Sequence, residues 1–162
     1  MRLFPPAQAL LTLSRTELSA HHRAMNNKFR ILTIDDDPHL SALVKVYLER
    51  TALFEVLEVN IPQDALAAAR AFRPHGILLD VFMPGKDGRD LANELSNDPL
   101  LQCVPMMFLT AELEKIRAEK KRFFSVGKTP FVPKSNDPRL LVAAVCRLLQ
   151  IPTPSEHQLD PI

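Results

Sequence analysis

Four short apolar stretches of this 162-residue chain are each followed by side chains that could take part in chemistry. In chain order these side chains are Asp35, Asp36 and Asp37, then Asp80, then Thr110 and Ala111, and finally Lys134. Carboxylates that converge on one place repel one another unless a cation compensates them. Oxygen ligands without histidine or cysteine suit a hard ion, so the set predicts a Mg²⁺ site, with Mn²⁺ as an alternative.

Phosphoryl transfer is the chemistry that these residue types favour. Lys134 supplies a positive charge and Thr110 a hydroxyl donor for phosphoryl oxygens. No general base is visible for a serine or cysteine nucleophile, so the natural nucleophile is a carboxylate, which gives an acyl phosphate. Each residue also has an ordinary interpretation: Asp80 can cap the turn that follows it, Asp37 can cap a helix, and Lys134 can be a solvated charge. Two of the five histidines, His39 and His75, are interpreted as surface or loop residues.

A regular alternation of strand and helix patterns must bring these side chains together. The predicted strands cover residues 31–34, 54–59, 77–79, 104–109 and 129–132, and the helices that follow them begin at Pro38, Pro62, about Asp87, Glu112 and Pro138. Five such units predict an α/β fold with a doubly wound parallel sheet, whose strands meet at their carboxyl ends along one ligand-binding edge. Pro130 predicts that the fifth strand lies at the side of the sheet, because proline cannot donate to a ladder.

Composition narrows the function classes. The formal net charge of +1 indicates neither a nucleic-acid partner nor a membrane surface, and no apolar run is long enough for a membrane span. Cys103 and Cys146 make no metal spacing and are predicted to be small buried side chains in a reducing, cytoplasmic environment.

Three motifs and one spacing carry a family resemblance. ILTIDDDP covers residues 31–38, GILLDVFMPGKDG covers 76–88, MMFLTA covers 106–111, and Lys134 follows Gly127 by seven residues. Over roughly residues 29–150 the chain resembles the receiver domain of two-component response regulators. The resemblance implies a flavodoxin-like (βα)5 fold with strand order 2-1-3-4-5.

The resemblance also implies roles for individual residues. Asp80 is expected to accept the phosphoryl group, and Asp35, Asp36, Asp80 and the backbone carbonyl of Phe82 are expected to bind the metal. Thr110, Ala111 and Lys134 are expected to contact the phosphoryl group, and Thr110 and Phe131 to form the conformational switch. Phe82 and Glu112 occupy the positions expected to tune the lifetime of the phosphorylated state.

The regions outside the motifs carry fewer expectations. Ser135 stands where the family usually has proline after the lysine, and a cis bond before a residue other than proline costs about 2.5–4 kcal/mol. Residues 1–28 are predicted to be a basic leader that is disordered or weakly helical, and residues 151–162 an irregular tail.

The resemblance, together with the twelve residues that remain after the last predicted helix, favours a stand-alone receiver and not an enzyme. Its expected partners are a histidine kinase or histidine phosphotransfer protein, and a protein target docked by the face of the fourth helix, fifth strand and fifth helix. Residues 111–136, which carry seven basic and three acidic side chains, favour an acidic target face. The alternatives are a small Mg²⁺-dependent phosphohydrolase with an Asp35-x-Asp37 nucleophile, or a receiver-like binding module that works without phosphorylation.

Overall fold

A central parallel sheet organises the chain in a computed structural model, which describes residues 28–110, 129–134 and 137–154. Its five strands are β1 (Phe29–Ile34), β2 (Phe54–Val59), β3 (Gly76–Asp80), β4 (Met106–Thr110) and β5 (Phe131–Pro133). They lie in the order β2-β1-β3-β4-β5, and all four pairings are parallel. The predicted flavodoxin-like fold and strand order are therefore confirmed.

Within the described residues, four helices cover the two faces of this sheet: α1 (Pro38–Glu49), α2 (Ala65–Phe72), α3 (Gly88–Ser96) and α4 (Pro138–Leu149). Helices α1 and α4 pack on one face, where Leu48, Val142 and Val145 are fully buried. Helices α2 and α3 pack on the other face. Strands covered on both faces explain why the strand segments of the sequence read as nearly continuous apolar runs.

Capping residues and prolines determine where the helices begin. Asp37 and Asp137 are the N-caps of α1 and α4, and a proline follows each at the first helical position. Asp87 caps α3. Pro62, which was expected to open the second helix, instead begins a 3₁₀ turn (Pro62–Asp64), and α2 starts after that turn.

Prolines also shift two strand boundaries from their predicted positions. Strand β4 begins at Met106 and not at Val104, since Pro105 contributes only its carbonyl, which accepts from Ile77 N–H at 3.0 Å. Strand β5 begins after Pro130, whose carbonyl accepts from Phe108 N–H at 2.9 Å. The prediction that the fifth strand lies at the side of the sheet is confirmed, because β5 is the last strand in the order of this five-stranded sheet.

The two cysteines have different environments. Cys146 is buried in α4, and burial raises the pKa of its thiol to about 11. Cys103 is exposed in the turns before β4, so the prediction that it is buried was wrong. The apolar side chain that these turns bury is Leu101, two residues earlier. No helix in the described part of the chain has the length and apolarity that crossing a membrane would require.

Candidate functional site

The strand register brings the predicted site residues to the same edge of the sheet. Ile34 pairs with Leu79, so the residues that follow them, Asp35 and Asp80, lie side by side. On the other side of β3, Thr110 pairs with Pro133, the residue before Lys134. The peptide N–H of Lys134 donates to the Thr110 carbonyl at 2.8 Å, which extends the β4–β5 ladder by one more bond.

The loop between β1 and α1 holds its acidic residues in different ways. Asp35 is 3% exposed, and its Oδ1 accepts from Asp37 N–H at 3.0 Å. The Asp37 carboxylate turns away to the start of α1, where it accepts from the N–H groups of His39 and Leu40 at 2.9 and 3.4 Å. The interpretation of Asp37 as a helix cap is confirmed.

Asp80 ends β3 with its side chain almost fully enclosed. The residue is 7% exposed, and its Oδ1 accepts from Val81 N–H at 2.8 Å. Its backbone carbonyl faces Gly88, where a Cβ atom would lie 1.9 Å from that oxygen. Only glycine fits there, because the N–H of Gly88 donates to the Val81 carbonyl at 2.9 Å and pulls the chain back over the strand end.

Lys134 links the two buried carboxylates. Its Nζ lies 2.7 Å from Asp35 Oδ2 and 3.1 Å from Asp80 Oδ2. The side chain is 13% exposed, so this contact is shielded from solvent far more than a surface ion pair is. The sequence interpretation of Lys134 as a solvated charge is therefore wrong.

Burial and neighbouring charges shift the pKa values of this group. Burial, which disfavours the charged carboxylate, raises the pKa of Asp80, and the negative charge of Asp35 adds to this, while Lys134 partly opposes it. Burial alone would lower the pKa of Lys134, but the hydrogen bond to Asp35 and the charges of Asp35 and Asp80 raise it overall. The lysine thus stays protonated beside carboxylates that it only partly compensates.

The donor set suits a hard divalent cation. One carboxylate oxygen from each of Asp35, Asp36 and Asp80 lies within 4.8 Å of the other two. Carboxylate oxygens are the ligands that Mg²⁺ prefers, and Mg²⁺ is commonly held by one or two carboxylates with waters in the remaining positions. Three carboxylates beside one lysine leave negative charge for such an ion to neutralise.

Thr110 and Phe131 lie on the paired strands β4 and β5. Thr110 is 1% exposed at the end of β4. The half-buried Phe131 stacks its ring on Phe108, with ring centroids 4.9 Å apart and planes 21° apart. The predicted switch aromatic is thus packed on the residue that lies two before Thr110.

Phe82 lies on a small hairpin that follows β3. Two-residue strands, Phe82–Met83 and Lys86–Asp87, pair antiparallel, and Gly85 at φ 77° makes the turn between them. The Phe82 residue is 40% exposed and lines an open groove with the rest of the hairpin. Its ring is therefore accessible to solvent beside the strand end that carries Asp80.

Several expectations concern residues outside the described ranges. These are Ala111, Glu112, the predicted helix 112–125 with Gly127, Ser135, residues 1–27, and residues 155–162. Residues 151–154 follow α4 without helix or strand.

Sequence reasoning missed two residues that shape the site. Asn60 follows β2, and its Nδ2 donates to the Asp35 carbonyl at 2.8 Å. Gly88 is the last residue of the motif that covers 76–88, but its close approach to the Asp80 carbonyl, which demands glycine, was not predicted. Asn60 carried a usable signal, because it is a polar residue directly after a strand, at the same edge as the other site residues.

The fold and the site together define a class of protein. Its members are α/β domains with five parallel strands and, at the carboxyl ends of these strands, an acidic site that includes a lysine. The family model of the response regulator receiver domain matches residues 31–146. The chain therefore belongs to the receiver domain family of response regulators. Receiver domains are the signalling domains of two-component systems, and phosphorylation and Mg²⁺ binding are typical of the family.

Individual relatives agree with this assignment. The chain is 33% identical over 141 residues to the phosphate regulon transcriptional regulatory protein PhoB of Pseudomonas aeruginosa, a match that covers 82% of this chain and 60% of the relative. It is 34% identical over 116 residues to the DNA-binding response regulator MtrA of Mycolicibacterium smegmatis, covering 72% of this chain and 48% of the relative. The chain thus spans about half to three fifths of the curated relatives it matches.

Solved structures show the same fold. Chemotaxis protein CheY4 of Vibrio cholerae matches with a TM-score of 0.63 and 27% sequence identity. The match covers 75% of this chain and 98% of that structure.

Proposed function

We propose that this receiver domain accepts a phosphoryl group on Asp80 from the phosphohistidine of a histidine kinase or a histidine phosphotransfer protein. The observation that carries the proposal is the surroundings of Asp80. Its carboxylate lies at a strand end 3.1 Å from Lys134 Nζ and within 4.8 Å of the carboxylate oxygens of Asp35 and Asp36. Of the three clustered carboxylates, only Asp80 has the position in the family motif that implies phosphorylation.

The chemistry follows from the charges of these groups. A carboxylate oxygen of Asp80 attacks the phosphorus, the phosphorus–nitrogen bond breaks, and its electron pair stays on the donor histidine. Lys134, which now contacts both Asp80 and Asp35, can turn toward the incoming phosphoryl oxygens and still remain close to Asp35. The buried Thr110 hydroxyl is the proposed donor to a phosphoryl oxygen.

Asp35, Asp36, Asp80 and the Phe82 carbonyl are the proposed ligands of the cation. When it is bound, Mg²⁺ would neutralise charge that spreads over the equatorial phosphoryl oxygens. Mn²⁺ prefers similar oxygen ligands and is the proposed substitute. The chain's own contribution is to hold Asp35 and Asp80 in place through Lys134 and the backbone N–H groups of Asp37 and Val81.

The proposed output is a change in docking. Phe131 of β5 stacks on Phe108, which lies two residues before Thr110 in β4, so a movement of Thr110 can reach the β5 surface through this pair. The proposed docking face is formed by predicted helix 112–125, β5 and α4. The stand-alone arrangement and the acidic target stay predictions.

Phosphorylation from a small acyl-phosphate donor tests the proposal. The chain is incubated with the donor and Mg²⁺, and the intact mass is followed for the addition of one phosphoryl group. Asp80→Asn should abolish the addition, whereas the matched variant Asp37→Asn should retain it, because the Asp37 carboxylate caps α1. Addition that persists in Asp80→Asn would reject Asp80 as the acceptor.

The two alternatives predict other results in the same experiment. A phosphohydrolase would release inorganic phosphate from a small phosphoester with repeated turnover, and Asp37→Asn would stop it. That reading conflicts with the position of the Asp37 carboxylate, which faces the N–H groups of α1. A binding module that works without phosphorylation would show no mass addition in the wild-type chain.

A further inference from the structure

Asn60 ties the loop that carries Asp35 and Asp36 to the body of the domain. The residue follows β2, and its Nδ2 donates both of its hydrogens: one to the Asp35 carbonyl at 2.8 Å and one to Ser41 Oγ at 2.7 Å. Ser41 is completely buried in the first turns of α1, and its hydroxyl donates to the Pro38 carbonyl at 3.2 Å. One side-chain amide thus joins the end of β2, the loop after β1 and the start of α1.

The consequence of this link falls on Asp36. The peptide before Asp36 is held at its carbonyl by Asn60, and the peptide after it is held at its N–H, which donates to Asp35 Oδ1 at 3.0 Å. Within the described residues, Asp36 has no side-chain hydrogen bond or ion pair of its own. The position of its carboxylate therefore depends on how firmly these two flanking peptides are fixed.

We propose that Asn60 is a positioning residue for the cation site: its amide orients the Asp35–Asp36 peptide and so places the Asp36 carboxylate toward those of Asp35 and Asp80. The inference rests on the proposed function, because it assumes that these three carboxylates hold a divalent cation. Residues that orient a metal ligand by hydrogen bonding, without binding the metal themselves, lower the metal affinity by about ten-fold to a hundred-fold when they are removed. Asn60 does this through a backbone carbonyl, so its removal leaves every proposed ligand in the chain.

A structural tie and a positioning residue make different predictions. If Asn60 only stabilises the fold, its removal lowers the melting temperature and leaves cation affinity as it was. If it places Asp36, its removal weakens cation binding through Asp36, and the effect disappears once the Asp36 carboxylate is already gone. Ser41 separates these cases, since Ser41→Ala removes one of the two Asn60 bonds and leaves the bond to the Asp35 carbonyl.

The test is direct binding of Mg²⁺ and Mn²⁺ to the full chain without any phosphoryl donor, by calorimetry and by electron paramagnetic resonance of free Mn²⁺. The variants are Asn60→Ala, Ser41→Ala, Asp36→Asn and the double variant Asn60→Ala/Asp36→Asn. Val145→Ala, which removes buried methyl groups from α4 and changes neither of the two Asn60 hydrogen bonds, is the control for loss of stability alone. Far-UV circular dichroism at the working temperature establishes that each variant is folded.

We expect Asn60→Ala to raise the dissociation constant by about ten-fold, the lower end of the range for such partners. Ser41→Ala and Val145→Ala should change it by less than about two-fold, a difference of roughly 0.4 kcal/mol. Adding Asn60→Ala to Asp36→Asn should have little further effect, because coupled residues are not additive.

Two results would overturn the inference. The first is that the wild-type chain binds the cation and the Asn60→Ala variant binds it equally well. The second is that Asn60→Ala raises the dissociation constant by the same factor in the wild-type chain and in the Asp36→Asn variant. A wild-type chain that binds neither ion overturns the inference together with the proposed cation site, so the two failures are distinguished by the wild-type measurement.

Discussion

Replacing Asp80 with asparagine should stabilise the domain in the absence of divalent cations. The side chains have nearly the same size, and the asparagine Oδ1 can still accept from Val81 N–H. What the change removes is a buried negative charge that lies within 4.8 Å of the carboxylate oxygens of Asp35 and Asp36. The raised pKa of Asp80 has the same cause, since burial and Asp35 both disfavour its charged form.

The expected magnitude follows from the distances. At an effective dielectric constant of about 20, each carboxylate repulsion is at least about 3.5 kcal/mol, since 4.8 Å is the largest separation in the cluster, and the attraction of Lys134 at 3.1 Å is about 5 kcal/mol. The two repulsions exceed the attraction by roughly 1–2 kcal/mol before the cost of burial is included. We therefore expect Asp80→Asn to raise the free energy of unfolding by about 1–2 kcal/mol at neutral pH.

The pH dependence has a definite sign. Because the pKa of Asp80 is raised above 3.8 in the folded chain, the folded state binds the proton more tightly than the unfolded state does. Stability from this group is fully present below pH 3.8 and is lost as the pH rises through the folded pKa. The advantage of Asp80→Asn should therefore be largest at neutral pH and shrink as the pH is lowered toward 3.8.

The assay is urea unfolding followed by circular dichroism, with a chelator or with Mg²⁺. Asp87→Asn is the matched control: the hydrogen bond from Arg89 lowers the pKa of Asp87, so its carboxylate stabilises the fold and its loss should destabilise it. Saturating Mg²⁺ should stabilise the wild type by about 2.7 kcal/mol at a hundred times its dissociation constant and so reverse the order of wild type and Asp80→Asn. An Asp80→Asn variant that is no more stable than wild type in chelator would refute this reasoning.

Three further predictions concern Gly88, Phe82 and the leader. Gly88→Ala should cost about 1–3 kcal/mol of unfolding free energy and slow phosphorylation, because its Cβ would lie 1.9 Å from the Asp80 carbonyl oxygen. The free energy of unfolding is measured in urea and the rate of phosphorylation in the mass assay, and values equal to those of the wild type would contradict this prediction. Phe82→Asn should speed loss of phosphate in a decay time course, since an amide can orient water where the ring offers no hydrogen bond, and each ten-fold corresponds to ~1.4 kcal/mol of barrier. Equal or slower decay would show that the ring does not shield the site. A chain that begins at Met25 should melt within a few degrees of the full chain and be phosphorylated equally, and a large loss of stability would show that the leader packs on the core.

The sequence predicted well which side chains converge at one edge of the sheet, because the strand ends determine where these side chains lie. Asp35, Asp80, Thr110 and Lys134 each follow or end a strand, and parallel pairing carries all four to one edge whatever the helices do. Pro130 predicted the position of the fifth strand at the side of the sheet, and this position is confirmed, although the strand itself begins only after this proline. These inferences depend only on local patterns and on one property of parallel sheets.

What the sequence could not predict depends on contacts between distant residues. The need for glycine at 88 arises from a carbonyl eight residues earlier, and nothing in the local turn pattern specifies that approach. The bond from Asn60 to the Asp35 carbonyl spans 25 residues and becomes visible only when β1 and β2 are paired. Cys103 was predicted to be buried, but it lies in a turn, where Leu101 points into the core and Cys103 is exposed.

Chemical trapping of the acyl phosphate tests the central claim most directly. The chain is phosphorylated by a purified histidine kinase or by a small acyl-phosphate donor with Mg²⁺, and the product is reduced with borohydride, which converts a phosphorylated aspartate to homoserine. Peptide sequencing by mass spectrometry should then find homoserine at position 80 and aspartate still present at 35, 36 and 37. Homoserine at one of those three positions, or at none of the four, would contradict the assignment of Asp80 as the phosphoryl acceptor.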